Sequence, residues 1–316
     1  MNFCYTQEEY NVTSYDALAM AIITFQALAG TWINAFIISV ICISWVKKKS
    51  FNSNEKVLLF LGCARFGYLI VTWVYCFLSI IYHTRFYVHS IPQVVVAVQS
   101  FLSSSNLWVS ACLCVFYCVK IANFRYTFFI YLKVKIDKIV PWLLLGSVLL
   151  SLVICIAVYY ITGEAHCSNS NSTTLENFWK IDVKMSEEFL PVFLINGFGF
   201  ATAFMAVIFS VLLIFSLWRQ KRKMQTNSMK ELNMDAYIKV IKSILSFFII
   251  YSFNFICLIL TLIYAAKEQT TASFLIFIFQ YAFPSLHSLT LIFSNPKLEK
   301  ALLRTLACLK RNICKK

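Results

Sequence analysis

The chain has 316 residues, a formal charge of +14 and a mean hydropathy of +0.73, with 60% hydrophobic and 17% aromatic residues. A soluble domain of this length cannot hide that much apolar surface, so composition excludes one and points to a membrane protein. The positive charge is divided among separate connections, which excludes the single basic face of a nucleic-acid binder.

A membrane-spanning helix needs roughly 20 mostly apolar residues. Seven stretches meet that need, at about 17–45, 57–81, 93–119, 139–161, 190–217, 243–265 and 272–294. The segment before the first carries Glu8, Glu9 and Asp16 and lacks a basic leader, so the first run is expected to stay as a helix. That run contains Asn34, in GTWINAFI. The second contains Arg65, in LFLGCARFGYLI. An arginine at that depth should face the bundle interior and donate to carbonyls or to polar groups such as Asn34. The fourth and fifth runs are separated by an acidic outer connection, about 162–189, with Glu164, Glu176, Asp182, Glu187 and Glu188. The longest inner connection covers about 218–242. His287 and Ser288 interrupt the seventh run at a depth comparable to Asn34 and Arg65, as candidates for a structural clamp or a conformational switch.

The seventh run closes on Asn295-Pro296, which suits an N-cap followed by the first helical position. In the tail, 295–316, Leu298, Ala301, Leu302, Thr305, Leu306 and Leu309 form one apolar face among lysines and arginines. This predicts a short amphipathic helix lying on the inner leaflet. The fold expected is an all-α membrane protein, a seven-transmembrane helix bundle with this helix after the last span. No separate soluble domain fits between the runs.

Orientation follows from the lysines and arginines. Lys47, Lys48, Lys49 and Lys56, then Lys120, Arg125, Lys133, Lys135 and Lys138, then Arg219, Lys221, Arg222 and Lys223, and finally the tail, all fall on one side. The other side carries Arg85, Lys180, Lys184 and Lys267. The positive-inside rule therefore places the N-terminus outside and the tail in the cytoplasm. Glycosylation sequons at Asn11 and Asn171 fall on the outer side and agree. Cys4 and Cys167 are both expected outside, but spacing alone does not establish a disulfide between them. Cys308 and Cys314 are candidates for S-acylation, with two unmodified thiols as the other reading.

All fourteen Asp and Glu residues fall outside the seven runs. Proton-coupled pumps and carriers commonly use intramembrane carboxylates, and transporters show repeated halves or broken helices. Neither feature is present in the sequence. No catalytic constellation, metal-ligand spacing or phosphate loop appears in the runs or inner connections, so an enzyme is not expected.

Several stretches together resemble the type 2 bitter taste receptors, a family of G-protein-coupled receptors. FYCVKIANF and the following YLK look like the family's FY-x-x-KIA-x-F run and its W/Y-LK segment. Leu213, Ser216 and Leu217 match its L-x-x-S-L. AYIKV resembles the start of its sixth helix, with Tyr237 replacing the usual histidine. His287, Ser288, Leu291 and Ile292 look like H-S-x-x-L-I, followed by Asn295, Lys297 and Leu298 as N-x-K-L. Asn34 and Arg65 match residues characteristic of the first two helices. The vomeronasal type 1 pheromone receptors share the hydropathy but match these motifs less well.

The resemblance implies a plasma-membrane, multi-pass chemosensor without cofactor, metal or catalytic residues. It would bind a small-molecule bitter agonist and activate a heterotrimeric G protein of the gustducin, or inhibitory, class. Its outer cavity would be lined by Gln99, Ser103, Asn196, Asn254, Phe277 and Gln280. Tyr117, Lys120, Leu213, Ser216, Leu217, Arg219, Lys221 and Arg222 would meet the G protein. Where the family often has asparagine in the third helix, this chain has Ser103. An aromatic position of the sixth helix is Asn254, and a position acidic in some members is Phe277. The expected lining carries no charge, which suits neutral, lipophilic ligands.

Overall fold

A computed structural model of the chain describes residues 14–81, 91–121, 127–168, 190–224, 234–265 and 270–313. Among these residues the regular structure is entirely helical. The helices are α1 (Ser14–Lys48), α2 (Ser53–Ile81), α3 (Ile91–Ile121), α4 (Thr127–Ser168), α5 (Leu190–Met224), α6 (Met234–Ala265), α7 (Thr270–Ser294) and α8 (Pro296–Ile313). The first seven each contain a stretch long and apolar enough to cross a membrane. In hydrocarbon every backbone N–H and C=O needs an internal partner, and a helix supplies it within one segment.

Several helices outrun the hydrocarbon. α4 starts at Thr127 rather than near 139, and α6 at Met234 rather than near 243. The added turns carry Lys133, Lys135, Lys138 and Lys242, whose long stems let a helix continue into the headgroup layer. In α4, Lys135 Nζ donates to Tyr131 Oη at 2.6 Å.

α3 packs against α2, α4, α5 and, over a short stretch, α6, while α1 and α6 flank α7. The cytoplasmic core joins Ile37, Ile41, Leu58, Leu61, Leu113, Phe116, Ile136, Leu291 and Leu298, so α8 is seated on the same core as five spans. A second core lies between α3, α5 and α6 around Phe200, Val207, Phe247 and Tyr251. A third, of Ile23, Ala27, Leu69, Cys76 and Tyr281, joins α1, α2 and α7. Gly30 sits where a Cβ would lie 2.2 Å from Ser285 Oγ and 2.6 Å from Leu69 Cδ1, so only glycine permits this approach of α1 to α7.

The helix ends are closed by local chemistry. Lys49 adopts φ 53° and donates its amide to the Trp45 carbonyl at 2.6 Å, ending α1 in a left-handed turn. Asn52 and Glu55 form one side of a capping box, with the Asn52 amide donating to Glu55 Oε2 at 3.1 Å. Asn295 Oδ1 accepts from the amides of Lys297 at 3.0 Å and Leu298 at 3.4 Å, the N-cap expected before Pro296.

Candidate functional site

Arg65 is 1% exposed, and the bundle closes around it. Its Nε donates to Asn106 Oδ1 at 2.7 Å, Nη1 to Ser288 Oγ at 2.8 Å and Nη2 to Ser110 Oγ at 3.2 Å. Nη2 also donates to His287 Nδ1. Because a guanidinium only donates, His287 Nδ1 must accept, which fixes the neutral imidazole with its proton on Nε2. α2, α3 and α7 therefore meet on one cation, with no carboxylate beside it among the described residues.

Asn34 joins this group indirectly. Its Nδ2 donates to the Gly30 carbonyl at 2.8 Å, which turns Oδ1 toward Ser288. The Ser288 hydroxyl has one proton, within reach of Asn34 Oδ1 at 2.7 Å and the Pro284 carbonyl at 2.9 Å. Asn34 is one of the partners the sequence offers Arg65. Ser288 stands between them, because its hydroxyl can accept from one neighbour while donating to the other. All four expected clamp residues come together.

Asn106, Ser110, Tyr251 and Phe247 were missed at the sequence level. Asn106 and Ser110 are four apart on α3, so they share the face that meets Arg65. That spacing inside an apolar run was the available signal. Tyr251 Oη donates to Ser110 Oγ at 3.2 Å and brings α6 into the network. The rings of Phe247 and Tyr251 lie 4.6 Å and 5.7 Å from His287, and Phe200 of α5 lies 6.0 Å from Tyr251. Rings thus run from α5 through α6 to α7 at the level of the polar cluster.

The expected ligand residues lie outward of this layer. On α3, Gln99 donates to Thr72 Oγ1 at 2.9 Å, and Asn106 faces Arg65. Ser103 lies between them on the same face, yet it is exposed. A residue on the face that α3 turns into the bundle can be exposed only where the bundle holds open space. Asn254 shares the α6 face of Phe247 and Tyr251, and Gln280 lies two turns outward of His287 on its face of α7. Asn196 lies on α5 one heptad before the fully buried Ala203. Each of these positions is within about 18 Å of an outer helix end, taking about 1.5 Å per residue. Pro284 has no N–H to offer the Gln280 carbonyl, leaving a backbone acceptor at that level. Phe277 is placed differently. Its half-buried ring stacks on Tyr281 at 6.2 Å beside the α1–α2–α7 core.

At the inner face, Tyr117 is partly buried between the α2–α3 core and Ile244 of α6. Lys120 Nζ donates to Asp137 Oδ2 at 2.9 Å, tying α3 to α4. Ser53 Oγ donates to the Asp137 carbonyl at 3.4 Å, and Lys297 of α8 pairs with Glu55 of α2. Lys120 is 42% exposed, and a docking partner would have to share it with Asp137. Leu213, Ser216, Leu217, Arg219, Lys221 and Arg222 lie on α5, with side chains outside the described residues. Asn11, Asn171, Cys4 and Cys314 also lie outside them, as does the Cys167 side chain.

Comparison with known proteins gives a consistent result. The family model described as taste receptor protein (TAS2R) matches residues 12–310. The chain is 31% identical over 302 residues to taste receptor type 2 member 2 of Homo sapiens, covering 94% of this chain and 97% of that protein. It is 30% identical over 292 residues to taste receptor type 2 member 40 of Gallus gallus, covering 91% and 94%. Against taste receptor type 2 member 9 of Pongo pygmaeus it is 28% identical over 307 residues, covering 95% and 96%.

Proposed function

Because the chain belongs to the taste receptor type 2 family, G-protein-coupled receptors for bitter compounds, we propose that it is a plasma-membrane receptor for neutral, lipophilic bitter molecules. The observation that carries the ligand class is the exposed Ser103 on the inward face of α3, between Gln99 and Asn106 on that face. Gln99, Asn196, Asn254 and Gln280 supply hydrogen-bonding groups without charge, and the half-buried Phe255, stacked on Phe200 at 5.3 Å, supplies apolar surface at the level of Asn254. A concave site of this chemistry suits an uncharged ligand held by shape and a few polar anchors.

Signalling follows by population shift. An agonist that binds better when α6 is displaced from α3 stabilises that arrangement by its differential affinity. The inner ends of α3 and α5, with Tyr117, Lys120 and the basic run from Arg219, then receive a gustducin-type α subunit. The pheromone-receptor and transporter readings are not favoured.

The reading is tested by expressing the receptor in cells with a chimeric gustducin-type G protein and recording calcium release against a panel of neutral and cationic bitter compounds. Neutral agonists should respond, and Ser103→Ala or Asn254→Ala should shift their potency. Potent activation by a quaternary amine, unaffected by charge removal in the outer connections, would overturn the ligand class.

A further inference from the structure

The inner ends of α1 and α2 and the start of α8 form one basic junction. Glu55, itself 6% exposed, accepts from Lys297 and from the Asn52 amide, and it lies in the field of Lys48. Lys47, Lys48, Lys49, Lys56 and Lys300 are all exposed at this junction. Six lysines, with Lys297, thus stand against Glu55 and Glu299. From Lys297 the positive charge continues along α8, because Lys300, Arg304 and Arg311 recur at spacings of three, four and seven on one side of the helix. The exposed Leu303 and Leu306 follow the adjoining face.

The backbone supplies an independent observation. Lys49 holds φ 53°, a left-handed conformation that is unfavourable for a residue with a Cβ and costs glycine almost nothing. A glycine would end α1 more cheaply at this position. The residue present instead adds an exposed amine at the end of α1. The level is marked by Trp45, 45% exposed and stacked on Phe51 at 5.7 Å, since tryptophan favours that interface.

We propose that this junction is a binding site for a polyphosphorylated inositol lipid of the inner leaflet. Its phosphate groups would lie between Lys48 and Lys49 at the end of α1 and Lys300 on α8, with acyl chains beside the exposed Leu303 and Leu306. A monoanionic headgroup neutralises one amine, whereas clustered phosphates accept several charge-assisted hydrogen bonds at once. Excess positive charge gathered at one end of α8 favours the second kind of ligand. The bound lipid would also cover the Glu55–Lys297 pair that holds α8 to α2.

The test uses the full-length receptor in nanodiscs of phosphatidylcholine containing either phosphatidylinositol bisphosphate or phosphatidylserine at matched total charge. Bound lipid is counted by native mass spectrometry. The bisphosphate should be retained preferentially, and Lys48→Gln, Lys49→Gln and Lys300→Gln should each lower its affinity about fivefold. Lys49→Gly is the sharper variant. It removes the amine and relieves the left-handed turn, so lipid retention should fall while thermal stability in detergent is unchanged or raised. Equal retention of phosphatidylserine would overturn the proposal, since attraction would then be diffuse. So would wild-type retention by Lys49→Gly, or an equal loss in the α4 control Lys135→Gln/Lys138→Gln.

Discussion

Tyr251 of α6 and Ser110 of α3 meet hydroxyl to hydroxyl at 3.2 Å, one helical turn from the Asn106 that also holds Arg65. α3 and α6 touch over a short stretch, where this bond sits beside the apolar packing of Leu107, Ala111 and Cys114 with Phe247 and Tyr251.

Tyr251→Phe removes the bond and keeps the ring that stacks on Phe247 at 4.1 Å. A buried hydrogen bond contributes roughly 1 kcal/mol, so agonist-independent signalling should rise by up to about fivefold. The check is basal calcium release normalised to surface receptor. Unchanged basal activity would mean that other contacts hold α6 in place.

Arg65→Ala leaves Asn106, Ser110, Ser288 and His287 without their shared donor. With each unpaired group costing about 1 kcal/mol or more, the loss should reach at least about 3 kcal/mol. Thermal unfolding in detergent should show it. Arg65→Lys should recover little, because one ammonium cannot reproduce the planar fork that reaches four partners.

Gly30→Ala places a methyl group against Ser285 Oγ and Leu69 Cδ1. Overpacking of this kind costs about 1–3 kcal/mol. Removing the opposing oxygen in Gly30→Ala/Ser285→Ala should restore part of that stability. A double variant no more stable than the single would place the strain on Leu69 alone.

Ser103→Leu fills the open space on the inward face of α3. Agonist potency should fall about tenfold or more, while surface expression stays at the level of the unmodified receptor. Radioligand or fluorescent-ligand competition separates lost binding from lost signalling.

Lys120→Ala breaks an ion pair whose members are 42% and 51% exposed. Such pairs contribute between about 0 and 1 kcal/mol, so stability should barely change. If Lys120 also meets the G protein, nucleotide exchange should fall while agonist affinity is kept. Equal loss of both would assign it a structural role.

The seven spans and the turn into α8 were legible because lipid imposes one rule on every segment, and Asn295-Pro296 states its own cap. Arg65, His287 and Ser288 were legible because polar groups at that depth must find partners. What they would find was not. Asn106, Ser110 and Tyr251 lie on three-dimensional neighbours whose rotation about their axes is set by packing, and nearly uniform hydrophobicity around a membrane helix conceals which face turns inward. Phe277 illustrates this point: hydropathy does not reveal that its ring stacks on Tyr281 beside the α1–α2–α7 core.

The shared guanidinium has a mechanical consequence. Partners on α2, α3 and α7 converge on one planar group, so none of these helices can slide along its axis without stretching bonds to the other two. Tyr251 reaches the same point through a single hydroxyl. The molecule is thus built around a fixed fulcrum: α2, α3 and α7 share one register, and α6 meets it through that hydroxyl and through the rings of Phe247 and Tyr251 against His287.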